Sequence, residues 1–213
     1  GPFIDFFQAI LFKIFGVSWF SYVLQASLFN ALITLSVFFI LYKFKLNIHY
    51  CFLYSLLVSV LAYPSAGTPY VDHQSAYLSI ISIFCFILAL KTNEKIYWLI
   101  LPILMTISFL TKQAPAGHII LIICFLSTIY FIFNFDLKKI IFGLIGVLIT
   151  ISVFLIILFT AGINLESFFL QYIRFPMSLG ESRLDFLFPL EFNRIILRFK
   201  LIHLSYLILV IIS

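Results

Sequence analysis

The chain has 213 residues, 64% of them hydrophobic and 10% charged, and 13 Lys and Arg against 8 Asp and Glu give a formal net charge of +5. A soluble domain carries about a quarter of its residues as charged groups, so this composition excludes an ordinary soluble globular domain and makes lipid the solvent for much of the surface. The modest positive balance bears on how loops are oriented across a membrane, not on nucleic acid, which is no expected partner.

Residue 1 is Gly and the chain stops at Ser213 inside the apolar run that starts at Tyr206. A helix ending there leaves carbonyls unsatisfied within hydrocarbon, so a fragment of a longer protein is expected. A tag scar at Gly1-Pro2 is the competing reading of that end. Residues 1–17 are expected to form a segment on the outer face. Apolar runs come next over 18–42, 48–63, 73–90, 96–111, 118–133 and 140–161, with a last one beginning near 196. A bilayer core needs about 20 such residues per helix. The runs therefore predict an all-α fold, a polytopic transmembrane helix bundle of about 6–7 spans read as one domain over 1–213. Several runs hold only about 16 residues, which points to helices ending in a protein-lined cavity below the membrane surface. No repeat, heptad pattern or low-complexity linker divides the chain. Cys51, Cys85 and Cys124 fall within the apolar runs without CxxC spacing, and they are expected to be small buried apolar residues.

Orientation is read from the short connections. Lys43 and Lys45, Lys91 and Lys95, and Lys138 and Lys139 occupy alternating turns, which the positive-inside rule assigns to the cytoplasm. The opposite face then carries residues 1–17, the loop 64–72, the turn 112–117 and the segment 162–195. That face also holds Lys13, Lys112, Arg174, Arg183, Arg194, Arg198 and Lys200. Charge beside hydrocarbon costs several kcal/mol, so each such residue needs a reason.

Three clusters of polar residues share that face. In the first, Tyr63 to Ser75, two prolines and a glycine stiffen a loop, and Asp72 or Ser75 is expected to cap the helix that begins with His73 and Gln74. An N-cap favoured by the helix dipole accounts for Asp72 alone. It does not account for His73 beside it, and the two are the donors open to a metal ion, a divalent cation, or to a substrate hydroxyl. In the second, Phe109 to His118, Lys112 and Gln113 lie where one span ends and the next begins. A snorkelling lysine is the plainer reading; an ammonium paired with a carboxylate such as Asp72, or with a phosphate, is the functional one. In the third, Glu166 to Asp185, aromatic and basic residues alternate as in a helix lying on the headgroup layer. Arg174 and Arg183 suit forked recognition of a phosphate. No P-loop, GxGxxG, GxSxG or HExxH occurs.

Together these clusters resemble the GT-C superfamily of membrane glycosyltransferases, in its branch of protein O-mannosyltransferases and the lipid A aminoarabinose transferase, the dolichyl-phosphate-mannose-protein mannosyltransferase-like families. Gly1-Pro2-Phe3 with Phe12-Lys-Ile-Phe-Gly16-Val-Ser-Trp19 is similar to the family's "GP … lfG-x-s" segment. Pro69-Tyr-Val-Asp72-His73 is similar to its second outer-loop acidic motif, and Leu110-Thr-Lys112-Gln113 to the "ltK" motif closing the fifth span. The resemblance implies a GT-C-like fold and an inverting transfer of a sugar from a polyprenyl-phosphate carrier to a lipid, glycan or protein acceptor at the outer or lumenal face. It implies a general-base Asp in a first outer loop upstream of Gly1, for which Asp5 is a poor substitute. Asp72 becomes the second acidic residue, shaping the site or holding a cation, and Lys112 the lysine near the carrier phosphate. A bacterial inner membrane with the active face outward is the expected location. A polytopic transporter or channel subunit, with broken helices at a binding site, and a non-catalytic scaffold subunit are the rival functions.

Overall fold

A computed structural model of the chain describes residues 1–64 and 67–178, together with residues 200, 204 and 207. Every regular element among the described residues is helical. The chain divides into two compact units, Gly1–Leu155 and Ile156–Ser213.

The first unit opens with α1, Pro2–Phe15, a helix where the sequence suggests only a segment of the outer face. Pro2 sits in the first turn, where its missing N–H leaves no bond unmade. Ile4 and Leu11, seven residues apart, are the buried positions of one face. Ile4 joins Phe29 and Leu78 in a small core with Phe3 and Phe7 packed against it. Gly16, at φ 78°, ends the helix in a conformation that disfavours any side chain. Ser18 and Ser21 then cap α2, Trp19–Lys43, reciprocally: each side chain bonds the other's backbone N–H, at 3.3 and 3.2 Å.

The remaining helices are α3, Ile48–Ala62, α4, Val71–Lys91, α5, Ile96–Thr111, α6, Gln113–Phe133, and α7, Leu137–Thr160. Four described helices, α2, α4, α6 and α7, are long and apolar enough to cross a membrane, the mark of a membrane protein. The apolar helices α3 and α5 have 15 and 16 residues. At a rise of about 1.5 Å per residue α5 is about 24 Å long, short of a hydrocarbon core of about 30 Å.

The central helix is α4, which packs on α2, α5 and α6. Its buried face carries Ser75, Ser79, Ser82, Cys85 and Ala89, small residues that let helix backbones approach where lipid removes the hydrophobic drive to associate. The approach of α7 to α5 uses the same device. A Cβ on Gly146 would overlap the Leu99 carbonyl, and one on Gly143 would lie 3.8 Å from the Trp98 carbonyl. Contacts between the turns sort them to two ends. Lys43 pairs with Glu94 at 3.4 Å and Lys91 lies 3.8 Å over the Phe44 ring, which brings the first two lysine-bearing turns together. Trp98 of α5 stacks on Tyr130 of α6 at 5.6 Å, and Tyr130 takes a hydrogen bond from Lys139 at 3.1 Å. All three lysine turns therefore share one end.

Cys51 and Cys85 are buried, as expected, whereas Cys124 is exposed. Hydropathy does not separate these cases, because a lipid-facing position is as apolar as an inward one.

In the second unit, Asn164 caps α8, Leu165–Phe169, by accepting the Glu166 N–H at 3.0 Å. One π-helical turn, Leu170–Arg174, comes directly after it, and the chain stays helical to residue 178.

Candidate functional site

The end of the first unit opposite the lysine turns gathers the polar residues of α1, α2, α4 and α5. Lys112 is the single residue between α5 and α6, with extended backbone at φ −161° and ψ 134°. Pro115 stiffens the chain just beyond it: Ala114, which precedes that proline, is also non-helical at φ −110° and ψ 128°, the conformation a proline imposes on its predecessor. From this link the Lys112 ammonium reaches back across 40 residues to an ion pair with the Asp72 carboxylate.

Asp72 is not the cap of α4. That place belongs to Tyr70, which makes no side-chain cap bond, and Asp72 lies in the first helical turn, where the dipole still favours its charge. Ser75 does not cap either: its hydroxyl donates to the Lys112 carbonyl at 3.3 Å. The Asp72 and Lys112 side chains are 69% and 43% exposed. A pair that open contributes about 0–1 kcal/mol to stability, so fold stability gives little reason for its presence.

Gly1 touches the same place. A Cβ there would overlap the Thr111 carbonyl oxygen, so only glycine lets the start of α1 lie against the end of α5. The stretches around Gly1-Pro2, Asp72-His73 and Leu110-Lys112, far apart in the chain, thus meet at one end of one unit.

Buried hydrogen bonds support the site from below. Ser108 of α5 donates to the Ser75 carbonyl at 3.2 Å and contacts the Ser79 hydroxyl at 2.8 Å. Gln25 of α2 donates to the Gln74 side-chain oxygen at 3.1 Å, with both residues almost wholly buried. Gln8 of α1 donates to the Ser21 carbonyl at 3.2 Å. Three buried polar atoms here, Gln8 Oε1, Thr68 Oγ1 and Gln74 Nε2, have no hydrogen-bond partner, a rare condition in native structures. Of this support, the serine ladder and Gln25 do not stand out in the sequence. A spacing of four between Ser75 and Ser79 is its one visible sign, and serines in apolar helices commonly bond their own helix instead.

His73 is exposed between two aromatic rings, Tyr70 at 5.5 Å and Tyr77 at 6.2 Å. Neighbouring positions on a helix do not face each other; Asp72 turns to Lys112 while His73 lies along the tyrosines. No third His, Cys, Asp or Glu joins them among the described residues. The two residues do not fit a shared cation. Gln113 is half-buried at the start of α6. Asp5 is exposed in the first turn of α1. Arg174 is exposed in the second unit, at the end of its π-helical turn, and Arg183 lies outside the described residues. Comparison of the chain with family models, with curated proteins and with solved structures finds no match.

Proposed function

We propose that the chain belongs to a membrane glycosyltransferase that moves a sugar from a polyprenyl-phosphate carrier to an acceptor at the outer face, with a GT-C-like bundle of about 6–7 spans. One observation carries the reading: Gly1, Asp72 and Lys112, the residues on which the resemblance rests, converge on one end of the first unit. The gathering of the lysine turns at the other end supports an orientation with that end in the cytoplasm, by the positive-inside rule.

On this reading the Lys112–Asp72 pair is the resting form of a phosphate contact. An ammonium has three N–H donors, so Asp72 holds the side chain in place with one and leaves two for the departing phosphate. Displacement at the anomeric carbon builds oxocarbenium character while negative charge gathers on the leaving oxygen. A cation already fixed there stabilises that charge without reorganising. The unpartnered amide and hydroxyl atoms of Gln8, Thr68 and Gln74 suit a polar sugar or acceptor. Asp72 shapes the site, Gln113 is a further carrier contact, and the general base is the Asp that the resemblance implies.

The test is incorporation of radiolabelled sugar from polyprenyl-phosphate donors by membranes holding the full-length protein. Wild-type transfer that falls about 10²–10³-fold in Lys112→Ala, with the variant eluting as an intact monodisperse protein, supports the reading. Transfer at near-normal rate in that variant removes the phosphate contact. Substrate uptake into proteoliposomes without any transfer favours the transporter.

A further inference from the structure

The lysine end of the first unit holds a second feature, which is independent of any transferase activity. A groove of about 750 Å³ runs between α5, α6 and α7, lined by apolar side chains such as Leu101, Met105, Ile123 and Phe131. It lies where α6 packs on α5 and α7 approaches α5 at Gly143 and Gly146. Along α6 it reaches from Ile132 to Ile123, about 14 Å at the helical rise. One leaflet of a hydrocarbon core of about 30 Å has nearly that depth.

At its headgroup end the groove is lined by Lys139, which is only 7% exposed. Its ammonium donates to the Tyr130 hydroxyl at 3.1 Å. Among the described residues no carboxylate lies within 4.0 Å of it. The nearest in sequence, Asp136, instead accepts the backbone N–H groups of Lys138 and Lys139 at 2.9 and 3.3 Å. Trp98 lines the same end, with its indole N–H buried and unpartnered. A buried cation without a counter-ion is costly, and here it lies at the mouth of an acyl-sized groove between two membrane-crossing helices. Basic pockets of this kind hold anionic lipid headgroups.

We infer that this groove binds one anionic phospholipid of the surrounding bilayer, its phosphate on Lys139 and one acyl chain along Ile123 to Ile132. The exposed Lys138 adds long-range attraction only.

The experiment uses Trp98 as reporter. Full-length protein carrying Trp19→Phe is placed in vesicles that contain brominated phosphatidylglycerol or brominated phosphatidylcholine, and the quenching of its fluorescence is titrated. Any further tryptophan of the full-length protein is likewise replaced by Phe. The expected result is about a fivefold preference for the anionic lipid, the size of one lysine's attraction. That preference is lost in Lys139→Gln and kept in Lys138→Gln. Unchanged quenching by phosphatidylcholine in both variants verifies that the groove is intact. Equal quenching by the two lipids in the Trp19→Phe protein overturns the assignment, as does a preference that survives Lys139→Gln. Reversal of the preference by millimolar inorganic phosphate, with no effect on phosphatidylcholine, overturns it too, because the lysine would then hold a free anion.

Discussion

The two ends of the first unit are held together by different physics. At the Asp72 end, Ser75, Ser79, Ser108, Gln25 and Gln74 join helices by hydrogen bonds, and the local cation has a carboxylate partner. At the lysine end, Trp98, Tyr130, Phe131 and Phe86 pack ring against ring. Lys43 there pairs with Glu94 and Lys91 covers the Phe44 ring, but Lys139 is buried with no carboxylate beside it among the described residues. Directional bonds fix atoms in place and leave polar atoms available. Aromatic packing fills volume and leaves apolar grooves. The first kind of end suits chemistry on a polar substrate; the second suits a lipid.

Four substitutions break or sharpen this contrast, from the largest expected effect to the smallest. On the proposed function, Lys112→Ala lowers sugar transfer by about 10²–10³-fold, worth about 2.7–4 kcal/mol in the transition state. Because the pair is exposed, the same substitution moves unfolding in a denaturing detergent titration by no more than about 1 kcal/mol. Equal losses of transfer and stability would instead make Lys112 a structural residue.

Gly146→Leu strikes the other end. Its side chain meets the Leu99 carbonyl, and such overpacking destabilises by about 1–3 kcal/mol in the same titration, with Trp98 fluorescence shifting as α7 parts from α5. An unchanged unfolding curve would show that α7 does not rest on α5 there. Gln25→Leu removes the donor to Gln74, and buried bonds between membrane helices average about 0.6 kcal/mol, with a maximum of about 1.7. A stabilised variant would mean that the glutamine pair is a burden on the fold. Asp72→Asn has the smallest effect on folding, at most about 1 kcal/mol, and a larger loss would contradict the openness of the pair.

The helices are legible in the sequence wherever polar residues interrupt apolar runs. Lys43, Asn47, Lys91, Lys95 and Asn134 mark the ends of α2, α3, α4, α5 and α6 to within a few residues. The start of α4 comes earlier than the run beginning at 73, because Val71 and Asp72 already belong to its first turn. The helix α1 escapes a search for spans, although Ile4, Phe7 and Leu11 have helical spacing; Asp5, Gln8 and Lys13 cut its apolar run too short. Asp72 and Lys112 stand out because ionisable groups are scarce here, and a carboxylate is one of two partners that the sequence offers the lysine. The serine ladder and the groove are hidden for a common reason. Both depend on which side of an apolar helix faces a neighbour, and a helix bathed in lipid carries no polar stripe to tell that side from the other.

The shortness of α5 makes bilayer thickness bear on the Lys112–Asp72 pair. Where a helix about 24 Å long crosses a hydrocarbon layer about 30 Å deep it cannot reach both borders, so the layer thins around it or one helix end sits beneath the surface. In a thin bilayer the Lys112–Asp72 pair meets headgroups and water, where its charges part readily. In a thick one the same pair lies under acyl chains, which hold opposite charges together. Lipid chain length alone, with no residue changed, then tunes how freely that ammonium can leave its carboxylate.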